Sequence, residues 1–93
     1  MTTMVETVAR AIIRRIAAEG PHLGPPLVGA ELDRYVDKTW HYWIDDAGAA
    51  IAAMRTPTEG MLKAAASRAD MQPRGATEVW QAMVDDALAE KPV

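Results

Sequence analysis

The sequence predicts an all-α protein, a small bundle of four to five helices, on three observations. Apolar residues recur every three or four positions in four segments, which is the period of an amphipathic helix. Proline, glycine and cap-forming side chains stand where these segments begin or end. No stretch alternates apolar and polar residues, so β-strands are not expected.

Length and composition predict one soluble domain over residues 1–93. The chain holds 49% hydrophobic and 25% charged residues, which is typical of a globular protein with one small core. Its net charge of −3 disfavours a generally basic nucleic-acid binder. Because it has no cysteine, disulfides, zinc fingers and thiolate nucleophiles are excluded. Neither a membrane-length apolar run nor a signal-peptide pattern is present, so we expect a cytoplasmic protein that does not bind a membrane.

The first predicted helix covers residues 3–19. Thr3 and Glu6 form a capping-box pattern, and Glu6 to Arg10 is a favourable i,i+4 ion pair. The Gly-Pro pair at residues 20–21 then ends the helix. The apolar positions of this helix are expected to face the core: Val5, Val8, Ala9, Ile12, Ile13 and Ile16.

A Pro/Gly-rich connector and a long apolar stripe follow. Residues 20–29 hold three prolines and three glycines, so we expect an irregular connector after helix 1. Residues 30–54 predict one long helix that is bent or interrupted, with a break at residues 37–39 and Thr39 as an N-cap as the alternative. Gly48 either weakens this helix or permits the close approach of a neighbour. The connector is expected to pack through Leu23, Leu27 and Val28, and the stripe through Leu32, Val36, Trp40, Trp43, Ala47, Ile51 and Met54.

The next predicted helix carries a strong local start signal. Thr56 stands at the N-cap, Pro57 at the first helical position and Glu59 at the third. The helix is expected to run over residues 57–67. Its inward residues are expected to be Met61, Leu62 and Ala65.

The last predicted helix follows a loop over residues 69–76, in which Pro73 and Gly75 interrupt any regular pattern. Thr77 is expected to cap this helix, which runs to Glu90. Its inward residues are expected to be Val79, Trp80, Met83, Val84, Ala87 and Leu88.

Three segments resemble a group of short open reading frames of alphaproteobacteria and the phages that infect them. The matching strings are residues 8–12, 49–61 and 79–90, within the wider ranges 1–18, 44–66 and 77–90. The most specific part is Ala-Met-Arg-Thr-Pro-Thr at residues 53–58, at the corner between two predicted helices. The group has no assigned activity. The resemblance therefore implies a bacterial or phage origin and no catalytic residue.

Candidate catalytic and metal sites are weak. His41 and Asp45 are four residues apart on one helix, but a metal needs three or four ligands, and the second histidine, His22, lies in the connector. The adjacent carboxylates at residues 45–46 and 85–86 point about 100° apart, which is typical of solvated helix faces. A Gly-rich phosphate loop and a nucleophile elbow are both lacking. We expect no catalysis, no metal and no cofactor.

The aromatic residues predict an interaction surface. Four of the five fall within nine positions. Tyr35 and Tyr42 are seven residues apart, so they are expected on one face, away from the tryptophan stripe. With Asp45 and Asp46 they resemble an interface with a polar rim. We expect a non-catalytic interaction module, an inhibitor or adaptor that binds another protein or a second copy of itself; the alternative is that the connector covers the tyrosines.

Basic residues suggest a second hypothesis for the function. Arg10, Arg14 and Arg55 would share one mildly basic side if the first and third helices are neighbours. That side predicts a nucleic-acid-associated regulator as the alternative function. The candidate recognition helix over residues 57–67 offers one lysine and several alanines rather than base-reading side chains, which disfavours sequence-specific DNA binding.

Overall fold

The computed structural model describes residues 2–19, 25–70 and 72–90 of the chain. In that part the chain is all-α, as predicted, and forms five α-helices and one 3₁₀ turn without a strand. The elements are α1 Met4–Glu19, α2 Gly29–Thr39, the 3₁₀ turn Trp40–Trp43, α3 Ile44–Ala53, α4 Glu59–Ala69 and α5 Pro73–Ala89.

Helix α1 begins as its sequence predicts. The Glu6 amide donates a hydrogen bond to Thr3 Oγ1 at 3.1 Å, and Arg10 Nε donates to Glu6 Oε2 at 2.8 Å. The first bond satisfies an amide that has no partner within the helix. One side of the helix is buried, at positions four residues apart: Val5, Ala9, Ile13 and Ala17.

The connector between α1 and α2 is described in its second half. The predicted helix stop at residues 20–21 and the predicted anchor Leu23 lie outside the described residues. Leu27 is half-buried, and its amide donates to the Ala17 carbonyl at 3.1 Å, so the connector is attached to the end of α1. Val28 is exposed, so its predicted packing is wrong.

The predicted long helix over residues 30–54 is interrupted by the 3₁₀ turn. Thr39 occupies the N-cap position of this turn, as the alternative predicted, but its side chain makes no capping bond. Its hydroxyl instead donates back to the Tyr35 carbonyl at 2.6 Å, a bond that threonine readily makes within a helix. A 3₁₀ helix has three residues per turn, so Trp40 and Trp43 lie on the same side of the turn. The apolar stripe therefore passes through the break without changing sides.

Helix α4 starts two residues later than predicted. Its N-cap is Thr58, whose Oγ1 accepts a hydrogen bond from the Met61 amide at 3.1 Å, so the predicted cap at Thr56 is wrong. The physical reason lies in packing. With Thr58 as N-cap, Pro57 and Leu62 occupy the two positions of a hydrophobic staple, and both line the same apolar groove.

Helix α5 starts five residues earlier than predicted. Pro73 is its first residue, and the predicted cap residue Thr77 lies inside the helix, where its hydroxyl donates to the Pro73 carbonyl at 2.9 Å. Proline is well suited to a first helical position because the amide it lacks has no helical partner there. The loop predicted over residues 69–76 is therefore shorter, and the second half of that range is helical.

The core joins α1, α2, the 3₁₀ turn, α3 and α5. The residues of this cluster are Val5, Ala9, Ile13, Val36, Trp40, Ala47, Ile51 and Val84, with Trp43, Trp80 and Ala87 partly buried against it. Five residues that were expected to face inward are exposed: Met54, Met61, Val79, Met83 and Leu88. Helix α4 has no buried residue.

The elongated shape of the molecule explains why these apolar residues are exposed. Its extents are 49 × 25 × 19 Å, and its radius of gyration is 16.5 Å, whereas a compact chain of this length has about 12 Å. Among the described elements, α4 packs only against α5. We call α4 and the part of α5 that faces it, residues 59–69 and 73–80, the arm. The arm extends the molecule beyond its core and leaves apolar side chains in solvent.

Candidate interaction surfaces

The 3₁₀ turn presents Tyr42 to solvent on a firmly held backbone. Trp40 is 3% exposed and Trp43 is half-buried against the core, whereas Tyr42 is 82% exposed. The three-residue period explains the contrast: with residues 40 and 43 facing inward, the two residues between them face outward. His41 is accordingly exposed as well. The tyrosine ring is thus exposed to solvent, while the residues on both sides of it along the turn, Trp40 and Trp43, pack against the core.

Contacts around Trp40 hold the turn in place. The His41 ring stacks on the indole, with centroids 4.0 Å apart and planes at 28°. The Arg10 guanidinium lies 5.3 Å from the centroid of the same ring, within the range of a cation–π interaction. The Arg10 contact joins α1 to the turn.

Asp45 and Asp46 are exposed in the first turn of α3, directly after the 3₁₀ turn. Carboxylates at this position complement the helix dipole, which is a structural role of their own. They also place two negative charges within four residues of Tyr42. The three side chains together form an aromatic and acidic surface, which we call the Tyr42 surface.

Tyr35 does not share this surface. It is partly buried against the core cluster, and it lines an open surface depression together with Leu27. The expectation that both tyrosines lie away from the core is therefore wrong for Tyr35. The connector supplies the reason, since its attachment to α1 brings Leu27 beside α2. The depression is completed by charged side chains: Glu31, Arg34, Asp37 and Lys38.

The predicted basic side is divided among ion pairs. Arg14 Nη2 lies 2.9 Å from Asp33 Oδ1, and Arg10 binds both Glu6 and Asp37. The hydrogen bond that Arg10 donates to Asp37, followed by the one it donates to Glu6, raises the pKa of Arg10. Two of these pairs connect α1 to α2 and offset the positive charge of α1.

Arg55 makes a bidentate pair with Asp85. Its Nε and Nη2 atoms donate to the two carboxylate oxygens at 2.8 and 3.1 Å. This hydrogen bonding lowers the pKa of Asp85 and raises the pKa of Arg55. The pair joins the corner after α3 to α5. A nucleic-acid role for Arg10, Arg14 and Arg55 stays a prediction, and each of these arginines would have to share its charge with a carboxylate.

An apolar groove runs between α4 and α5. Its volume is about 170 Å³, and its lining carries no charge: Pro57, Met61, Leu62, Ala65, Ala76, Val79 and Trp80. Trp80 Nε1 donates to the Met54 carbonyl at 2.6 Å, which fixes the indole at the edge of the groove. The sequence predicted core positions for five of these residues: Met61, Leu62, Ala65, Val79 and Trp80. The available signal was the amount of apolar surface predicted for the last two helices, which exceeds what one small core accommodates.

Other kinds of site are not seen in the described part of the chain. It contains no group of three or more His, Asp or Glu side chains that would hold a metal ion. None of its helices combines the length and the apolar character needed to cross a bilayer. No family model, curated protein or solved structure matches the chain.

Proposed function

We propose that this chain is a small, non-catalytic interaction module that binds another protein through the Tyr42 surface. The observation that supports the proposal is the 82% exposure of Tyr42 on a turn anchored by Trp40 and Trp43. Tyrosine supplies a large contact area with few rotatable bonds. Because the backbone is already fixed, ordering this side chain on binding costs little conformational entropy.

The charge beside the ring indicates the chemistry of the partner. Asp45 and Asp46 are exposed, and no ion pair involves either carboxylate in the described residues. A partner that offers an apolar pocket bordered by lysine or arginine would complement this surface. Such a module acts as an adaptor or an inhibitor of a larger assembly. We place it in the cytoplasm, as its composition predicts, and in a bacterial or phage setting, as the resemblance implies.

Affinity capture with a matched control tests this proposal. The immobilised chain is exposed to a lysate of its source cells, in parallel with Tyr42→Ala and with Val28→Ala, which alters another exposed apolar residue away from the turn. We expect proteins that the wild type and Val28→Ala retain and that Tyr42→Ala loses. For a purified partner, Tyr42→Ala should weaken binding by about 2 kcal/mol, or roughly 30-fold.

The acidic rim has its own test on the same partner. Asp45→Asn combined with Asp46→Asn should slow association and reduce its dependence on salt. Circular dichroism checks that each variant keeps its helical content. Equal capture by the wild type and Tyr42→Ala would contradict a role for this surface.

A further inference from the structure

We infer that the groove between α4 and α5 binds a second copy of this chain. In the resulting two-fold dimer, the arms of the two copies pack against each other as a four-helix bundle. The lining of this groove shares no residue with the Tyr42 surface.

The packing of the arm is incomplete in one copy. Helix α4 has 11 residues, none of them buried, and packs only against α5 among the described elements. A helix this short is marginally stable unless tertiary contacts cover its apolar side. Met61 is 41% exposed and Val79 is 48% exposed, although both line the groove. Two helices cannot enclose a core, whereas four helices can.

The chain as a whole exposes more surface than a compact monomer of its mass. The chain exposes 6724 Å² of solvent-accessible surface, whereas a compact monomer of its mass exposes about 5,300 Å². The excess is therefore about 1,400 Å² per copy. Each partner in a standard protein interface buries about 800 Å². The excess is thus large enough for one such interface.

The charge of the arm favours a copy of itself over a charged partner. Lys63 pairs with Glu59 at 3.6 Å, and Arg74 pairs with Glu78 at 3.4 Å, so these charges are balanced within one chain. The arm, residues 59–69 and 73–80, holds three basic and two acidic side chains, a net charge of +1. Two copies therefore meet with little repulsion, and a strongly charged partner would gain little from this surface.

A two-fold interface would use the arm and the residues next to it twice. In a two-fold interface the same patch supplies both the groove and the side chains that fill the groove of the partner. Met83 is 60% exposed and lies one helical turn after Val79, beside the groove. Methionine adapts readily to irregular apolar gaps. We assign Met61, Val79 and Met83 to the centre of the interface.

Sedimentation analysis tests the dimer. We expect the mass of the wild type to rise from one chain to two as its concentration increases from micromolar to millimolar. Val79→Asp places a carboxylate at a half-exposed position in the groove and should hold the mass at one chain throughout. Val28→Asp, a charge at an exposed site outside the arm, and Tyr42→Ala should dimerise like the wild type. Normal dimerisation of Tyr42→Ala separates this interface from the Tyr42 surface.

Spin labelling tests the position of the interface without changing the groove lining. The chain has no cysteine, so Met83→Cys and Val28→Cys each provide a single labelling site. We expect a shorter distance between the two labels of a dimer at position 83 than at position 28. A wild type that stays monomeric at every concentration, or a dimer in which position 28 gives the shorter distance, would overturn the inference. If the wild type stays monomeric, the groove would be expected to bind a different protein.

Discussion

At the scale of single residues, burial differs sharply between side chains that look equivalent in the sequence. Trp40 and Tyr42 are two residues apart, yet one is 3% exposed and the other 82%. Residues two apart point to different sides of an α-helix or of a 3₁₀ turn, so the indole of Trp40 faces the core while the ring of Tyr42 faces solvent. Periodicity alone predicted the tryptophan stripe, but it placed Tyr35 and Tyr42 on one surface, because the path of the connector beside Tyr35 is a tertiary feature.

Trp80 is expected to contribute to stability through packing and one hydrogen bond. Trp80→Ala should lower the free energy of unfolding by about 2 kcal/mol, less than the 3–5 kcal/mol of a fully buried site, because the indole is only half-buried. Trp80→Phe keeps an aromatic ring but removes the bond to the Met54 carbonyl, and it should cost about 1 kcal/mol. Urea denaturation measures both. Equal losses for the two variants would show that ring packing contributes nothing here.

Asp85 is expected to make stability depend on pH in acid. Its folded-state pKa is lowered by hydrogen bonding to Arg55, so the folded protein binds the proton less readily than the unfolded chain. The stabilisation is present above the ordinary aspartate pKa and is lost as pH falls below about 4 through the folded value. We expect the wild type to be more stable than Asp85→Asn at neutral pH, with the difference vanishing in acid.

Urea unfolding at several pH values checks this dependence. Both side chains of the pair are about half exposed, so added salt should reduce the difference. Arg55→Gln is the matched variant. If the two side chains act as a pair, adding Asp85→Asn to Arg55→Gln should cost less than it does in the wild type, and strict additivity would refute the coupling.

At the scale of elements, the sequence predicts where helices exist better than where they begin. Thr56 and Thr58 are both acceptable caps by local chemistry, and a cap at Thr58 places Pro57 and Leu62 at the two positions of a hydrophobic staple, where both line the groove. Pro73 likewise fits a loop or a first helical position. The faces of α1 and α3 were predictable because both helices meet the core. Those of α4 and α5 were not, since an amphipathic pattern does not say what covers the apolar side.

Thr58 and Thr56 form a natural pair for testing the start of α4. Thr58→Ala removes the oxygen that accepts from the Met61 amide and should destabilise the first turn of α4 by about 1 kcal/mol. Thr56→Ala should change stability by less than about 0.5 kcal/mol. Hydrogen exchange at the amides of α4 measures this locally. A larger effect of Thr56→Ala than of Thr58→Ala would indicate that α4 begins at Pro57 with Thr56 as its N-cap.

Gly48 is expected to lower the stability of α3, and a substitution at this position should raise it. A methyl group at this position would meet no atom within 4 Å, so no neighbour requires a glycine there. Gly48→Ala should therefore stabilise the protein by about 0.5–1 kcal/mol, since alanine restricts the unfolded chain. Gly29 has a φ of +59°, and Gly29→Ala should destabilise. Thermal unfolding compares the two, and a loss of stability in Gly48→Ala would reveal a close contact at this site.

At the scale of the whole molecule, the arm and the core differ in the number of partners that hold them. Helix α1 packs against α2, the 3₁₀ turn, α3 and α5, whereas α4 packs only against α5. In dilute protein we expect the amides of α4 to exchange hydrogen faster than those in the middle of α1, through local opening of the arm. Mass spectrometry of deuterated peptides measures this. Equal protection of α1 and α4 in dilute protein would contradict it.

Most core residues lie in the first part of the chain, so this part can fold first during synthesis. Of the core cluster in the described residues, only Val84 comes from beyond residue 53. Once Ala53 has left the ribosome, the emerged chain already contains the other members of the hydrophobic nucleus. Because chains fold from the N-terminus as they are made, these helices can collapse while α5 is still being translated. The last helix then docks onto a preformed surface and brings α4 with it.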